Sequence, residues 1–142
     1  MKTAVVYWSG TGNTEAMAGS VAEGAKSAGA EVSVFTAADF SADMVDQFDS
    51  IAFGCPSMGS EQLEDSEFEP MFNACEAKLS GKKVGLFGSY GWGDGEWMRN
   101  WEERAKNDGA TLVGGEGLIV NETPDDEALE KCAALGAELV KE

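Results

Sequence analysis

The chain has 142 residues, enough for one domain with one core and too few for two. Ten basic residues against 26 acidic ones leave a net charge of −16, a surface that repels nucleic-acid phosphates and anionic lipid heads. Histidine is absent and Cys55, Cys75 and Cys132 form no CxxC pair, so Ser-His-Asp catalysis, histidine metal sites and paired-cysteine iron–sulfur or zinc centres lack their residues.

No apolar stretch approaches the roughly 20 residues that span a bilayer, and no charged-then-apolar leader opens the chain. These features predict a cytoplasmic protein, one domain over residues 1–142, with no metal, no membrane and no nucleic-acid partner. If electrons move through it, an organic cofactor must carry them.

In chain order, the first strand-like run is "AVVYW" (4–8). Residues 14–28 then place Met17, Val21, Ala25 and Ala28 at helical spacing, with Gly29 as the stop and Gly19 and Gly24 as weak points. Further strands read at "VSVF" (32–35), "SIAFG" (50–54) and "KVGLFG" (83–88). Residues 97–107 form a helix whose Trp97 and Trp101, four apart, make a core-facing stripe. The last strand is "GLIV" (117–120), and "TPDDE" (123–127) opens the last helix with Thr123 as N-cap and Pro124 in the first helical position. Short, nearly continuous apolar runs suit strands buried on both faces. Their alternation with helices predicts an α/β fold: an open, twisted, five-stranded parallel sheet between two helical layers.

Ligands of such sheets sit at the carboxyl ends of the strands. Three loops belong there: "SGTGNT" (9–14), "CPSMGSEQLED" (55–65) and "SYGWGDGEW" (89–97). The first runs from strand to helix, where free backbone N–H groups and the helix dipole favour an anion. Gly10 and Gly12 let the backbone curl round it, and Ser9, Thr11, Asn13 and Thr14 add neutral donors. No lysine follows Gly12, against a nucleoside triphosphate, and GxGxxG fails after Gly10-Thr11-Gly12, against a dinucleotide. A compact monophosphate fits better. Trp92, among Gly91, Gly93 and Gly95, offers a stacking platform for a flat ring. Met58-Gly59-Ser60-Glu61 supplies a soft side chain, a flexible peptide and a carboxylate.

"YWSGTGNTE", "GCPSMGSEQLEDSEFEP" and "GKKVGLFGSYGWGDGEWM" together closely resemble the short-chain flavodoxins of anaerobic bacteria. The likeness runs from Lys2 to about Asp126, and "TLVGGEGLIVNE" (111–122) lacks the insertion that splits the last strand of long-chain relatives. The resemblance implies strand order 2-1-3-4-5 and one non-covalent FMN. It places the FMN phosphate on Ser9, Gly10, Thr11, Gly12, Asn13 and Thr14, with a hydroxyl added by Ser89, and it counts Ser57 among the cofactor-binding residues. It puts Met58 and Trp92 on the two ring faces and the Gly59–Ser60 peptide beside flavin N5. Glu61 would accept from flavin N3, and backbone groups of Tyr90, Gly91, Trp92 and Gly93 would meet the pyrimidine edge. The implied function is low-potential, one-electron transport between semiquinone and hydroquinone in place of, or beside, ferredoxin.

The residues suggest how the potentials are set. A glycine carbonyl that swings to N5 gains a hydrogen bond worth roughly 0.5–1.5 kcal/mol, or about 20–65 mV for one electron. Glu61, Glu64, Asp65, Glu67, Asp94 and Glu96 flank the loops and disfavour a second electron, so the second potential is predicted to be very negative. The same acids would steer basic patches of partner oxidoreductases to a monomeric carrier. An FMN-dependent reductase on this fold would need an open ring face. A response-regulator receiver would need aspartates where "WSGTGNT" and "GCPSMG" stand, and a Cys-x5-Arg phosphatase fails because Glu61 stands six residues after Cys55.

Overall fold

In the computed structural model, which describes residues 1–141, parallel ladders join β1 (Lys2–Tyr7) to β2 (Glu31–Thr36) on one side and to β3 (Ser50–Gly54) on the other. The ladder from β3 continues to β4 (Lys83–Tyr90). The fifth position is shared by β5 (Thr111–Leu112), which pairs with the start of β4, and β6 (Leu118–Asn121), which pairs with its end. The order 2-1-3-4-5 is as expected, with the last strand read at 117–120 found as β6; the short β5 before it is a sixth strand that the sequence reading lacked. Gly114 and Gly115 both take positive φ (79° and 78°), a turn the ladder cannot cross.

The apolar strand runs are apolar because alternate residues serve two cores. Ala4, Val6, Ile51, Phe53, Val84 and Leu86 face one core with α2 (Phe68–Cys75) and α3 (Glu96–Asn107). Val5, Ala52 and Phe87 face the other with α1 (Asn13–Ser27) and α4 (Asp126–Val140). Trp97 and Trp101 are both buried, as their spacing predicts, and Trp101 meets Phe68 and Phe72 edge to face at 5.4 and 5.8 Å.

Local chemistry sets the helix ends. Gly29, at φ 103°, donates to Lys26 O while Ala30 donates to Ala25 O, the paired bonds of a Schellman stop. Gly24 serves packing: a Cβ there would overlap the Ala133 carbonyl, and one on Gly136 would overlap that of Val21, so α1 and α4 cross backbone to backbone. Gly19 has no such role. The N-cap of α4 is Asp125, whose Oδ1 accepts from Ala128 N at 2.8 Å, and not Thr123. The carboxylate is the better cap, and the helix starts two residues later to use it.

Periodicity leaves α2 unassigned. Its N-terminus is served from outside the helix: the buried Glu64 carboxylate accepts from Ser66 N (2.9 Å), Glu67 N and Phe68 N (both 2.8 Å), and from the Ser66 hydroxyl. Among the described residues, no helix is long and apolar enough to cross a membrane.

Candidate cofactor-binding site

The three loops converge at the carboxyl end of the sheet. α1 has Gly12 as its N-cap, whose φ of 95° turns the chain sharply into the helix, and no side chain caps the first turn. The first-turn N–H groups therefore present an uncapped positive dipole end. Inside the loop, the Ser9 hydroxyl accepts from Gly12 N at 3.1 Å.

Thr14 and Ser89, 75 residues apart in sequence, are both buried with their hydroxyls 3.0 Å apart. Ser89 N also donates to Thr14 Oγ1 at 3.4 Å. Two hydroxyls share one hydrogen bond, so one hydroxyl hydrogen remains for a further acceptor. Above this pair lies a cavity of about 250 Å³. It is lined by the expected Gly10, Thr11, Asn13, Ser57, Met58, Ser89, Tyr90 and Gly91, and by Trp8, Pro56 and Glu122, which were not expected.

The second loop continues the β3–β4 pairing through Cys55 N to Phe87 O at 3.1 Å and Ser57 N to Ser89 O at 3.0 Å. It then closes a three-residue turn, with Met58 and Gln62 exchanging backbone bonds of 2.8 and 2.9 Å. Gly59 has φ 52°, in the left-handed region that glycine adopts without strain. Glu61 shares it at 53°, which nothing in the sequence signals. Gly59 and Ser60 are exposed at the turn's tip.

Glu61 faces the third loop. Its carboxylate accepts from Asp94 N at 3.2 Å and Trp97 N at 3.3 Å, so it caps α3, whose own N-cap, Gly95, has no side chain to offer. Trp92 is 65% exposed on its glycine loop, and the Glu61 side chain lies against Gly93 beside it. Ser9 and Gly12 line a second, polar cavity on the other side of the first loop. Trp8 borders both cavities, packs beneath Gly10 and donates from Nε1 to Glu67 at 3.0 Å.

Two expectations about charge change. Glu64 is spent on capping α2: burial opposes its charge, but the bonds from Ser66, Phe68 and Glu67 win and hold its carboxyl below the ordinary range. Glu122, at φ 57°, lines the cavity instead. Cys55 is fully buried and its thiol is pushed far up by desolvation, which leaves it inert beneath the site.

An uncapped helix start with neutral donors, a spare buried hydroxyl hydrogen and an apolar cavity beside an exposed tryptophan fit a phosphorylated flat ring. The Flavodoxin family model matches residues 5–136. The chain is 53% identical to the flavodoxin of Megasphaera elsdenii over 137 residues, covering 96% of this chain and 97% of that one. It is 46% identical to the flavodoxin of Clostridium beijerinckii over 135 residues, covering 95% and 96%. The solution structure of two-electron reduced Megasphaera elsdenii flavodoxin superposes with a TM-score of 0.90 at 51% identity, covering 99% of both chains. The chain belongs to the flavodoxin family, as a short-chain member: an electron carrier, not an enzyme, with FMN as its cofactor.

Proposed function

We propose that this flavodoxin works as a low-potential carrier of single electrons, and that the three loops hold its FMN as their chemistry suggests. Bound FMN supplies one-electron redox chemistry. The chain's own residues do the rest. The α1 N-terminus, with the hydroxyls of Ser9, Thr11, Thr14, Ser57 and Ser89 and the amide of Asn13, would hold the phosphate without a full positive charge. Met58 and Trp92 would cover the ring and exclude water, the Gly59–Ser60 peptide would offer a carbonyl to N5, and Glu61 would accept from N3. The peptides of Tyr90 to Gly93 would meet the pyrimidine edge.

The observation that carries this reading is the distribution of charge. Arg99 stands in the first turn of α3, near the carboxyl end of the sheet, and Asp94 neutralises it at 3.0 Å. Glu61, Asp65, Glu67, Asp94, Glu96 and Glu122 surround the loops there. Lys2, Lys26, Lys82, Lys83, Lys106 and Lys141 lie at the opposite end, where strands begin and helices stop. Such a field opposes added negative charge at the site and orients the molecule, acidic end first, toward basic patches on partner oxidoreductases. The single domain then acts as a monomer, through small transient interfaces.

The test is a reductive titration of the FMN-loaded protein followed by visible absorption. Two resolved one-electron steps, the second at very negative potential, are expected. A single two-electron step would overturn the proposal.

A further inference from the structure

β4 ends at Tyr90, and the next peptide is gripped from the β6 side. Glu122 N–H donates to the Tyr90 carbonyl at 2.7 Å, and Asn121 Nδ2 donates to the same oxygen at 3.2 Å. Both donors come from the corner where the chain leaves β6; Asn121 is the last residue of that strand and pairs with Tyr90. The corner takes an uncommon shape. Glu122 sits at φ 57°, a left-handed conformation that costs any residue but glycine, and the exposed position gives no packing reason for it.

The consequence lies on the far side of the peptide. A trans peptide points its C=O and N–H in opposite directions. With the Tyr90 carbonyl fixed toward β6, the Gly91 N–H faces the β3 side. The last ladder bond on that side is Ser57 N to Ser89 O, at 3.0 Å. Beyond it Ser57 and Met58 leave the sheet, and the cavity lined by Ser57, Met58, Tyr90, Gly91 and Glu122 opens. Among the described residues, the Gly91 N–H has no acceptor. It is a donor held at the cavity wall with nothing of the protein to bond.

The geometry points to Asn121 and Glu122 as positioning residues: by clamping the Tyr90 carbonyl they aim the Gly91 N–H into the cofactor cavity. This rests on the reading of that cavity as the FMN site. A fixed neutral donor favours whichever bound form carries more negative charge, and it needs no reorganisation when that charge arrives. It therefore partly offsets the acidic surroundings. Asn121 acts through its side-chain amide and Glu122 through its backbone N–H.

The experiment compares wild type, Asn121→Ala and Asn121→Asp. Apoprotein of each is titrated with FMN, both midpoint potentials are measured, and urea denaturation checks the fold. Loss of one net hydrogen bond raises the FMN dissociation constant of Asn121→Ala roughly two- to twelve-fold. Asn121→Asp keeps the shape but has no hydrogen to donate at pH 7, so it binds more weakly still. In both variants the second potential moves to more negative values further than the first, which general loosening of the fold would not produce. Asn121→Ala at wild-type affinity and potentials overturns the positioning role, as does an equal shift of both potentials, while wild-type FMN binding leaves the cofactor site standing. A wild-type apoprotein that takes up no FMN overturns both.

Discussion

A Cβ on Gly93 would overlap Glu61 Oε1, and the φ of 87° at this position strains any other residue. Gly93 is thus fixed by a side chain 32 positions away, which passes over it to reach Asp94 N and Trp97 N. Gly93→Ala is expected to destabilise the apoprotein by about 1–2 kcal/mol, the usual cost of a left-handed alanine, and to displace Glu61. Urea denaturation and FMN titration measure the two effects. Glu61→Gln keeps an acceptor for α3 but removes the charge. If that charge acts on the cofactor with ~1 kcal/mol, the second potential rises by about 40 mV. Unchanged potentials in Glu61→Gln would remove Glu61 from the redox account. The sequence showed that a carboxylate, a flexible peptide and a glycine loop stood near one another. It did not show that Glu61 would span them, because its positive φ and its contacts with loop 89–97 arise only when the two loops meet.

At the scale of the element, α2 shows why some structure is hard to read from sequence. It has eight residues, a proline in its first turn and no cap in its own N-cap position. Glu64, three residues before that position, supplies the acceptors and is itself buried. Its lowered carboxyl pKa fixes the sign of the pH effect. The stabilisation is present above the ordinary carboxylate pKa and is lost as pH falls through the lower folded value. Glu64→Gln should cost about 1–2 kcal/mol at pH 7, in the range of a lost cap, and the difference from wild type should shrink on acidification. Urea midpoints across the acid range test this, and a constant difference would mean that the charge of Glu64 contributes nothing. Where capping is local, as at Gly29, the sequence named the right residue. At Asp125 it chose the wrong one of two capping residues two positions apart.

Across the whole molecule, two groups of charges respond to the medium, one to salt and one to pH. The acidic rim at the cofactor end predicts that electron transfer to a basic partner slows steeply as salt rises toward physiological strength, where the screening length is about 8 Å. Stopped-flow rates against ionic strength test it, and a flat profile would rule out docking by charge. Behind the rim, Arg104 binds Glu69 at 2.6–2.7 Å and Glu76 at 2.6 Å, over the Phe72 ring. Asp108 Oδ2 is buried nearby without a donor. Burial, then its hydrogen bond and charge contact with Glu76, push the Asp108 carboxyl up to about 6, so below that pH it carries a proton that it can share with Glu76. A raised folded pKa gives stability that is complete below the ordinary carboxylate pKa and is lost as pH rises through about 6. Asp108→Asn, which donates at every pH, should lack that decline, and urea midpoints between pH 4 and 7 would show it.

The sequence by itself determined the periodicities, and with them the parallel sheet, the two helical layers and the loops placed at the strand ends. Those are local properties: strand runs apolar on both faces, helical spacing, and a glycine-rich turn without a cation. It also determined the acidity that keeps full positive charge away from the site. The tertiary structure decided which acids count. It buried Glu64 beneath a helix, stretched Glu61 between two loops and brought Glu122 to the cavity wall. It also interrupted the fifth strand at Gly114 and Gly115. Those outcomes depend on contacts between segments far apart in the chain, whose energies exist only once the backbone has closed on itself, and no local pattern of residues encodes them.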